Sequence, residues 1–197
     1  MGISAKQFSD LQERVRGVRR KEAAVATPPR RYETILGIDP SLRGTGYGIL
    51  RLAKPHDTAV VHGTISCPAG WERSRCLVRI AEHLRAVIRE HQPEVCAIEG
   101  LFFAQNLQTA LIMGEARGAA LVAAAEAGLE IYELAPRRVK QAVVGFGGAG
   151  KNAVARMVQR MLHLEELPAP DAADALAIAI AHAQDSSRYS ISPARKL

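Results

Sequence analysis

The sequence predicts an α/β protein with a mixed β-sheet of about five strands, the first three antiparallel, flanked by helices on both faces. Two observations carry this prediction. Three strand patterns joined by short turns come first, and the remaining patterns follow in the order α-β-α-β-α-α-α, which is typical of a mixed sheet covered by helices. The chain of 197 residues is 48% hydrophobic, which is enough apolar material for one domain with a proper core.

The first three strands are predicted from short runs of β-forming residues between turn signals. The first run ends in an acid, and the glycine-rich segment after it, residues 40–46, predicts a turn. The second and third runs are separated by Lys54-Pro55-His56-Asp57. The predicted strands are Thr34–Asp39, Tyr47–Leu52 and Ala59–Ser66.

The helices are predicted from apolar residues at helical spacing, and two further strands lie among them. The strand at 95–99 also ends in an acid, and the helix at 106–127 is rich in alanine, with Gly114 and Gly118 four residues apart. Pro136 begins a basic helix. The predicted elements, in order, are helix 71–90, strand 95–99, helix 106–127, strand 130–134, and helices from 136, from 151 to 164 and from 171.

Composition and charge divide the chain into three parts. Residues 1–32 form a basic N-terminal appendage, helical or disordered, because Lys and Arg are concentrated there and Thr27-Pro28-Pro29 breaks the chain. Residues 33–184 form the domain, and residues 185–197 form a polar tail. The three cysteines form no CxxC pair, and no segment has the length of a membrane span, so a cytoplasmic protein is expected.

Four acids occupy the ends of predicted elements. Asp39 and Glu99 each follow the last apolar residue of a strand, whereas Asp171 and Asp174 open the last helix and lie on one face of it. Capping is the ordinary explanation of an Asp pair at a helix start. Binding sites in such sheets nevertheless gather beyond the strand ends, and we therefore expect all four acids in one cleft.

Four carboxylates in one cleft repel each other unless cations neutralise them. Oxygen ligands of this kind favour Mg²⁺, with Mn²⁺ as a substitute, over zinc. Two such ions close together stabilise the attacking and leaving oxygens in phosphodiester cleavage. The acids therefore predict metal-dependent hydrolysis of a nucleic-acid backbone, with two ions in each active site.

Several segments, in this order along the chain, also resemble the RuvC family of crossover-junction endodeoxyribonucleases. The similarity runs from about Ile35 to about His182. The matching segments are Gly37-Ile38-Asp39-Pro40 with Gly44-Thr45-Gly46-Tyr47-Gly48, Ala97-Ile98-Glu99, Gly114-Glu115-Ala116-Arg117-Gly118, Val139-Lys140-Gln141-Ala142-Val143-Val144-Gly145 and Asp171-Ala172-Ala173-Asp174-Ala175-Leu176-Ala177.

The resemblance implies an RNase H-like fold and a homodimer that makes paired, symmetric, Mg²⁺-dependent nicks in four-way DNA junctions. It places Asp39, Glu99, Asp171 and Asp174 at the catalytic acid positions. Helix 106–127 is a candidate for the dimer contact. The RuvA/RuvB branch-migration complex is a candidate partner.

The resemblance also assigns residues to the DNA. Lys140 and Lys151 match basic positions near the scissile phosphate, where a point charge offsets developing negative charge. Phe102 matches an aromatic that stacks on an unpaired base. The predicted DNA contacts are Phe102, Asn106, Arg117, Arg137, Lys140 and Lys151, with Arg138, Arg156 and Arg160 as further backbone contacts.

Three alternatives stay open at this point. Gly145 to Asn152 resembles a phosphate-binding P-loop, although Asn152 replaces the residue whose hydroxyl binds Mg²⁺. A different RNase H-like nuclease, such as an RNA–DNA hybrid hydrolase, would use similar acids. A non-catalytic junction-binding protein of the same fold is the third, and the four intact acids argue against it.

Overall fold

The computed structural model describes residues 32–100, 106–187 and 194–197, which form six strands and five helices. The strands are β1 (Thr34–Asp39), β2 (Gly44–Arg51), β3 (Thr58–Ser66), β4 (Val95–Glu99), β5 (Glu130–Leu134) and β6 (Arg195–Lys196). The helices are α1 (Arg73–His91), α2 (Leu107–Glu126), α3 (Pro136–Val144), α4 (Lys151–Met161) and α5 (Pro170–Ser187).

The strands form one mixed sheet in the order β3-β2-β1-β4-β5-β6. The first three strands are antiparallel, as predicted, and β1, β4 and β5 are parallel to one another. Ile38 pairs with Ile98, so Asp39 and Glu99, the next residues of the two strands, end side by side at the same edge. The predicted mixed α/β architecture is therefore confirmed.

Two hydrophobic cores cover the two faces of the sheet, because residues along each strand alternate between the faces. On one face, Ile35, Val95 and Ala97 pack with buried residues of α3, α4 and α5. On the other face, Leu36, Ile38, Cys96 and Ile98 pack with α1 and α2. The acids that end β1 and β4 continue this alternation and lie on the α5 face. Among residues 32–100, 106–187 and 194–197, no helix combines the length and apolarity needed to cross a membrane.

Glycines in β1 and β2 allow α5 to lie against the sheet backbone. A Cβ on Gly37 would stand 2.0 Å from the carbonyl oxygen of Ala175, and a Cβ on Gly46 would stand 1.9 Å from that of Asp171. The sequence had predicted a turn across Gly44–Gly46, which is wrong: these residues begin β2. The glycines allow a helix to approach the strand backbone closely. Glycine is equally common in turns, so the local sequence does not show which of the two roles it has here.

The ends of the described chain meet at β5. Arg195–Lys196 adds a sixth strand where five were predicted, and Lys196 Nζ lies 2.9 Å from a Glu130 carboxylate oxygen. Tyr32, within the predicted appendage, is buried and donates to Glu130 across 2.7 Å. Helix α5 ends at Ser187, beyond the predicted domain limit of 184. The rest of the appendage lies outside the described residues, and the three-part division of the chain stays a prediction.

Candidate active site

The four predicted acids and two predicted lysines line one cavity of about 320 Å³ at the edge where β1 and β4 end. The strands supply Asp39 and Glu99, the start of α5 supplies Asp171 and Asp174, α3 supplies Lys140, and α4 supplies Lys151. The other lining residues are Pro40, Ser41, Met113, Pro136, Val139 and Val154. Residues from distant parts of the chain thus converge on one anionic pocket with a cationic wall.

Helix α5 brings its two acids to the strand ends because it crosses β1 and β2 over their glycines. The helix begins at Pro170, so Asp171 lies within the first turn and Asp174 one turn further along the same face. A Cβ on Gly44 would stand 2.8 Å from Asp171 Oδ2. The absence of a side chain at Gly44 therefore keeps space for the Asp171 carboxylate.

Asp39 and Glu99 are held close together in a partly desolvated setting. Burial, followed by the Asp174 carboxylate, raises the pKa of Asp39 to about 6. Burial, followed by the Asp39 carboxylate, raises the pKa of Glu99 to about 8. Without a cation, this pair therefore retains a proton near neutral pH.

Lys151 provides the nearest compensating charge. Its ammonium lies 3.4 Å from Asp174 Oδ2, and its side chain is 65% exposed whereas that of Asp174 is 22% exposed. Burial lowers the pKa of Lys151, but Asp174, Asp39 and Asp171 outweigh that effect and raise the pKa above its ordinary value. Lys151 therefore stays charged and reaches from solvent into the acidic pocket. This position at the acids argues against a P-loop role for the segment that precedes it.

The donor set fits a divalent cation in its chemistry. Carboxylate oxygens are hard ligands, and a cation among them would offset the repulsion that, together with burial, raises the pKa values of Asp39 and Glu99. Within the ranges that the structure describes, no three Asp, Glu, His or Cys side chains are already arranged to hold one ion together. Asp39, Glu99, Asp171 and Asp174 would be the residues that hold such a cation, and its charge would offset the repulsion among them.

The predicted DNA contacts have different surroundings. Arg137 is exposed on α3, as are Arg156 and Arg160 on α4. Arg138 instead pairs with Asp185 across 2.7 Å. Asn106 caps α2, where its side chain accepts from the Thr109 amide at 2.8 Å. Phe102 lies outside the described residues.

Arg117 differs from the other predicted contacts, because its side chain is only 14% exposed and is already engaged by Glu133 and by the Glu99 backbone.

Two residues near the site were missed by the sequence analysis. Thr45, fully buried, donates its hydroxyl to the Ser41 carbonyl at 2.5 Å and accepts from the Ser41 amide at 3.2 Å, and so ties the turn after Asp39 to β2. Phe146 is 67% exposed in the loop before α4. The sequence signals that could have indicated these residues were a single Thr between two glycines, for Thr45, and a Phe within a glycine-rich segment, for Phe146.

The sheet order, the helix across the strand glycines and the acids at the strand ends define an RNase H-like domain. Comparison with known proteins gives the family. The family model described as "Crossover junction endodeoxyribonuclease RuvC" matches residues 35–182. The chain therefore belongs to the RuvC family and is a crossover junction endodeoxyribonuclease, so the resemblance found in the sequence is confirmed.

Individual relatives agree with this membership. The chain is 49% identical over 150 residues to the crossover junction endodeoxyribonuclease RuvC of Moorella thermoacetica, covering 76% of this chain and 90% of the relative. The similar structure of "T. thermophilus RuvC in complex with Holliday junction substrate" has a TM-score of 0.74 and 33% identity, covering 84% of this chain and 99% of that chain. A second Thermus thermophilus RuvC structure has a TM-score of 0.72 at 34% identity, over 83% of this chain and 99% of that chain.

Proposed function

We propose that this protein resolves Holliday junctions as a homodimer, making paired symmetric nicks by Mg²⁺-dependent hydrolysis of the DNA backbone. The observation that carries the proposal is the convergence of Asp39, Glu99, Asp171 and Asp174 with Lys140 and Lys151 on one cavity. The solved relative that holds a Holliday junction supports the substrate. Cytoplasmic location and a contact with RuvA/RuvB stay predictions.

The four acids are the residues that would hold divalent cations. When bound, the cations polarise the phosphodiester and make a water more acidic, so that it attacks at neutral pH. Asp39 and Glu99 must both be ionised for this, and Mn²⁺ would serve in place of Mg²⁺ because it accepts the same oxygen ligands. Lys151 and Lys140 place positive charge at the cavity wall, where it offsets the negative charge that develops on the phosphate.

The exposed cations of α3 and α4 extend this wall. Arg137, Arg156 and Arg160 are exposed, and Phe146 is exposed in the loop between the two helices. We propose that the three arginines contact the DNA backbone beside the cleaved phosphate, because cations of this kind position a duplex without reading its sequence. Phe102 keeps its predicted role in base stacking, and Asn106 keeps its predicted DNA contact alongside its capping bond.

The experiment that tests the function compares two substrates. A synthetic mobile four-way junction and an RNA–DNA hybrid of equal length are incubated with the purified protein, with Mg²⁺ and with EDTA. The proposal expects symmetric nicks in opposing arms of the junction that depend on Mg²⁺. Cleavage confined to the RNA strand of the hybrid would instead support the alternative nuclease. Junction binding without cleavage under any divalent ion would support the non-catalytic alternative.

Lys151→Met is expected to lower the turnover of junction cleavage about 10²-fold, because one preorganised charge near the phosphate is removed. Junction affinity in EDTA should change by less than about threefold, since a single phosphate contact contributes little to a large interface. Single-turnover cleavage and electrophoretic mobility shifts measure the two quantities. The control is Lys54→Met, which removes an exposed lysine between β2 and β3; equal losses in both variants would contradict a specific role for Lys151.

A stripe of exposed apolar residues on α2 is the proposed dimer contact. Leu107, Leu111 and Val122 are 76%, 57% and 49% exposed, and their spacing places them on one face of the helix. Gly118 lies on the same face, and a Cβ there would meet no atom within 4 Å, so a second helix has room to approach. Exposed apolar stripes of this kind mark protein interfaces.

Leu111→Asp is expected to convert the dimer to a monomer, because a buried unpaired charge in an apolar interface costs several kcal/mol. Sedimentation equilibrium at micromolar concentration measures the mass. Val78→Asp is the matched control, since Val78 is an equally exposed apolar residue on α1, 54% exposed. The assignment of α2 is contradicted if the Leu111 variant stays dimeric or if the Val78 variant dissociates as well.

A further inference from the structure

Arg117 holds the end of strand β4 from the face of the sheet opposite the acids. Its guanidinium forms an ion pair with Glu133 of β5, and its Nε donates to the backbone carbonyl of Glu99 across 3.4 Å. The side chains of Arg117 and Glu133 are 14% and 15% exposed. Arg117 therefore connects α2, β5 and the backbone of a proposed catalytic residue in one contact.

Among the residues that the structure describes, this ion pair differs from the other two that involve α2. Arg73–Glu115 and Arg85–Glu126 join α1 to α2, and their side chains are between 40% and 53% exposed. Exposed pairs of that kind contribute little to stability or order, whereas a desolvated pair restricts the groups it joins. The Arg117 pair is thus the one suited to fixing geometry.

The backbone at this point is also tied to β5. Glu133 pairs with Ile98 in the parallel register, and the Gly100 amide donates to the Leu134 carbonyl at 2.9 Å. Glu99 thus lies between Ile98 and Gly100, which both pair with β5, and its carboxylate points to the α5 face of the sheet. A shift of the strand end would move that carboxylate relative to Asp39.

We propose that Arg117 is a positioning residue for Glu99, acting through the Glu99 carbonyl and Glu133, and that it is not a DNA contact. The proposal rests on the proposed nuclease function for its activity readout. A guanidinium with 14% of its side chain exposed, and with Nε and one Nη already engaged, has little left to offer a phosphate. Residues that orient a metal-binding carboxylate typically change metal affinity or activity by about 10–100-fold when lost.

Arg117→Lys separates positioning from folding. Lysine keeps the charge opposite Glu133 but cannot span both partners, because its ammonium is a single point whereas the guanidinium is a planar fork. We expect turnover of junction cleavage to fall at least about tenfold, with junction affinity in EDTA within about twofold of wild type. The Gly100 amide should exchange with solvent at least about tenfold faster, while amides of β2 keep their wild-type rates.

Two further variants complete the design. Glu133→Gln keeps an acceptor for Arg117 and should lose less activity than Arg117→Lys. Arg73→Lys alters an exposed arginine that pairs onto the same helix, and its cleavage rate and Gly100 exchange should match wild type.

The outcomes separate the possible roles. Weakened junction binding with unchanged Gly100 exchange would make Arg117 a DNA contact and overturn the proposal. Lower stability with unchanged turnover of the folded protein would show that Arg117 and Glu133 form only a structural ion pair, and this result would also overturn the proposal. If the wild type cleaves no junction, the proposed function fails, and the exchange rate at Gly100 still decides whether Arg117 fixes the strand end.

Discussion

Asp39→Asn is expected to reduce junction cleavage by about 10³-fold or more. Asparagine replaces one carboxylate oxygen with an amide group and removes the negative charge, so it would hold a catalytic cation poorly. Junction binding in EDTA should be retained, since the exposed cations of α3 and α4 are untouched. Asparagine matches the shape of aspartate, so loss of the fold does not explain loss of cleavage. An unchanged nicking rate in this variant would remove Asp39 from the proposed site.

The same variant should be more stable than wild type when no metal is present and the pH is high. Asp39 has a pKa of about 6 and Glu99 of about 8, both above their ordinary values, so the folded protein binds these protons more tightly than the unfolded chain. The resulting stabilisation is present at low pH and is lost as the pH rises through these values. At pH 8 in EDTA, Asp39→Asn should therefore raise the free energy of unfolding by about 1–3 kcal/mol.

Urea unfolding of both proteins at several pH values measures this difference. Near pH 4 the difference should be small, because both acids are then largely protonated in the wild type. Mg²⁺ should stabilise the wild type more than the variant, since a ligand stabilises the state that binds it. A variant that is less stable than wild type at pH 8 in EDTA would show that the acids do not repel one another in the folded protein.

The parts of this site that were predictable depend on short-range signals. Strands β1 and β4 were predicted with their observed bounds, because each is an apolar run that ends in an acid. The start of α5 is marked by prolines and the Asp pair, and it lies within one residue of the prediction. Acids at these ends were expected to meet because binding sites in such sheets gather beyond the strand ends.

The parts that were not predictable depend on contacts between distant segments. The Gly44–Gly46 segment has the composition of a turn, and only the passage of α5 explains why glycines occupy a strand there. Strand β6 has two residues, Arg195 and Lys196, which is too short for any alternation of apolar and polar residues. Arg117 was predicted to contact DNA, but its burial against Glu133 could not be read from the sequence.

Gly37→Ala is expected to destabilise the protein strongly. The added Cβ would lie 2.0 Å from the Ala175 carbonyl oxygen and 3.0 Å from the Ala179 amide nitrogen, so it would overlap the backbone of α5. Backbone atoms cannot rotate away as a side chain does, and the helix must therefore lift from β1. We expect a loss of about 3 kcal/mol or more in the free energy of unfolding, a large fraction of the stability of a typical domain.

Urea unfolding followed by circular dichroism measures this loss, and Gly70→Ala is the matched control. A Cβ on Gly70 meets nothing within 4 Å, so the control should stay within about 0.5 kcal/mol of wild type. The folded fraction of Gly37→Ala should also cleave junctions more slowly, because lifting α5 moves Asp171 and Asp174 away from Asp39 and Glu99. If Gly37→Ala is as stable as the control, α5 does not lie on the strand backbone, and the four acids lose the contact that brings them into one cavity.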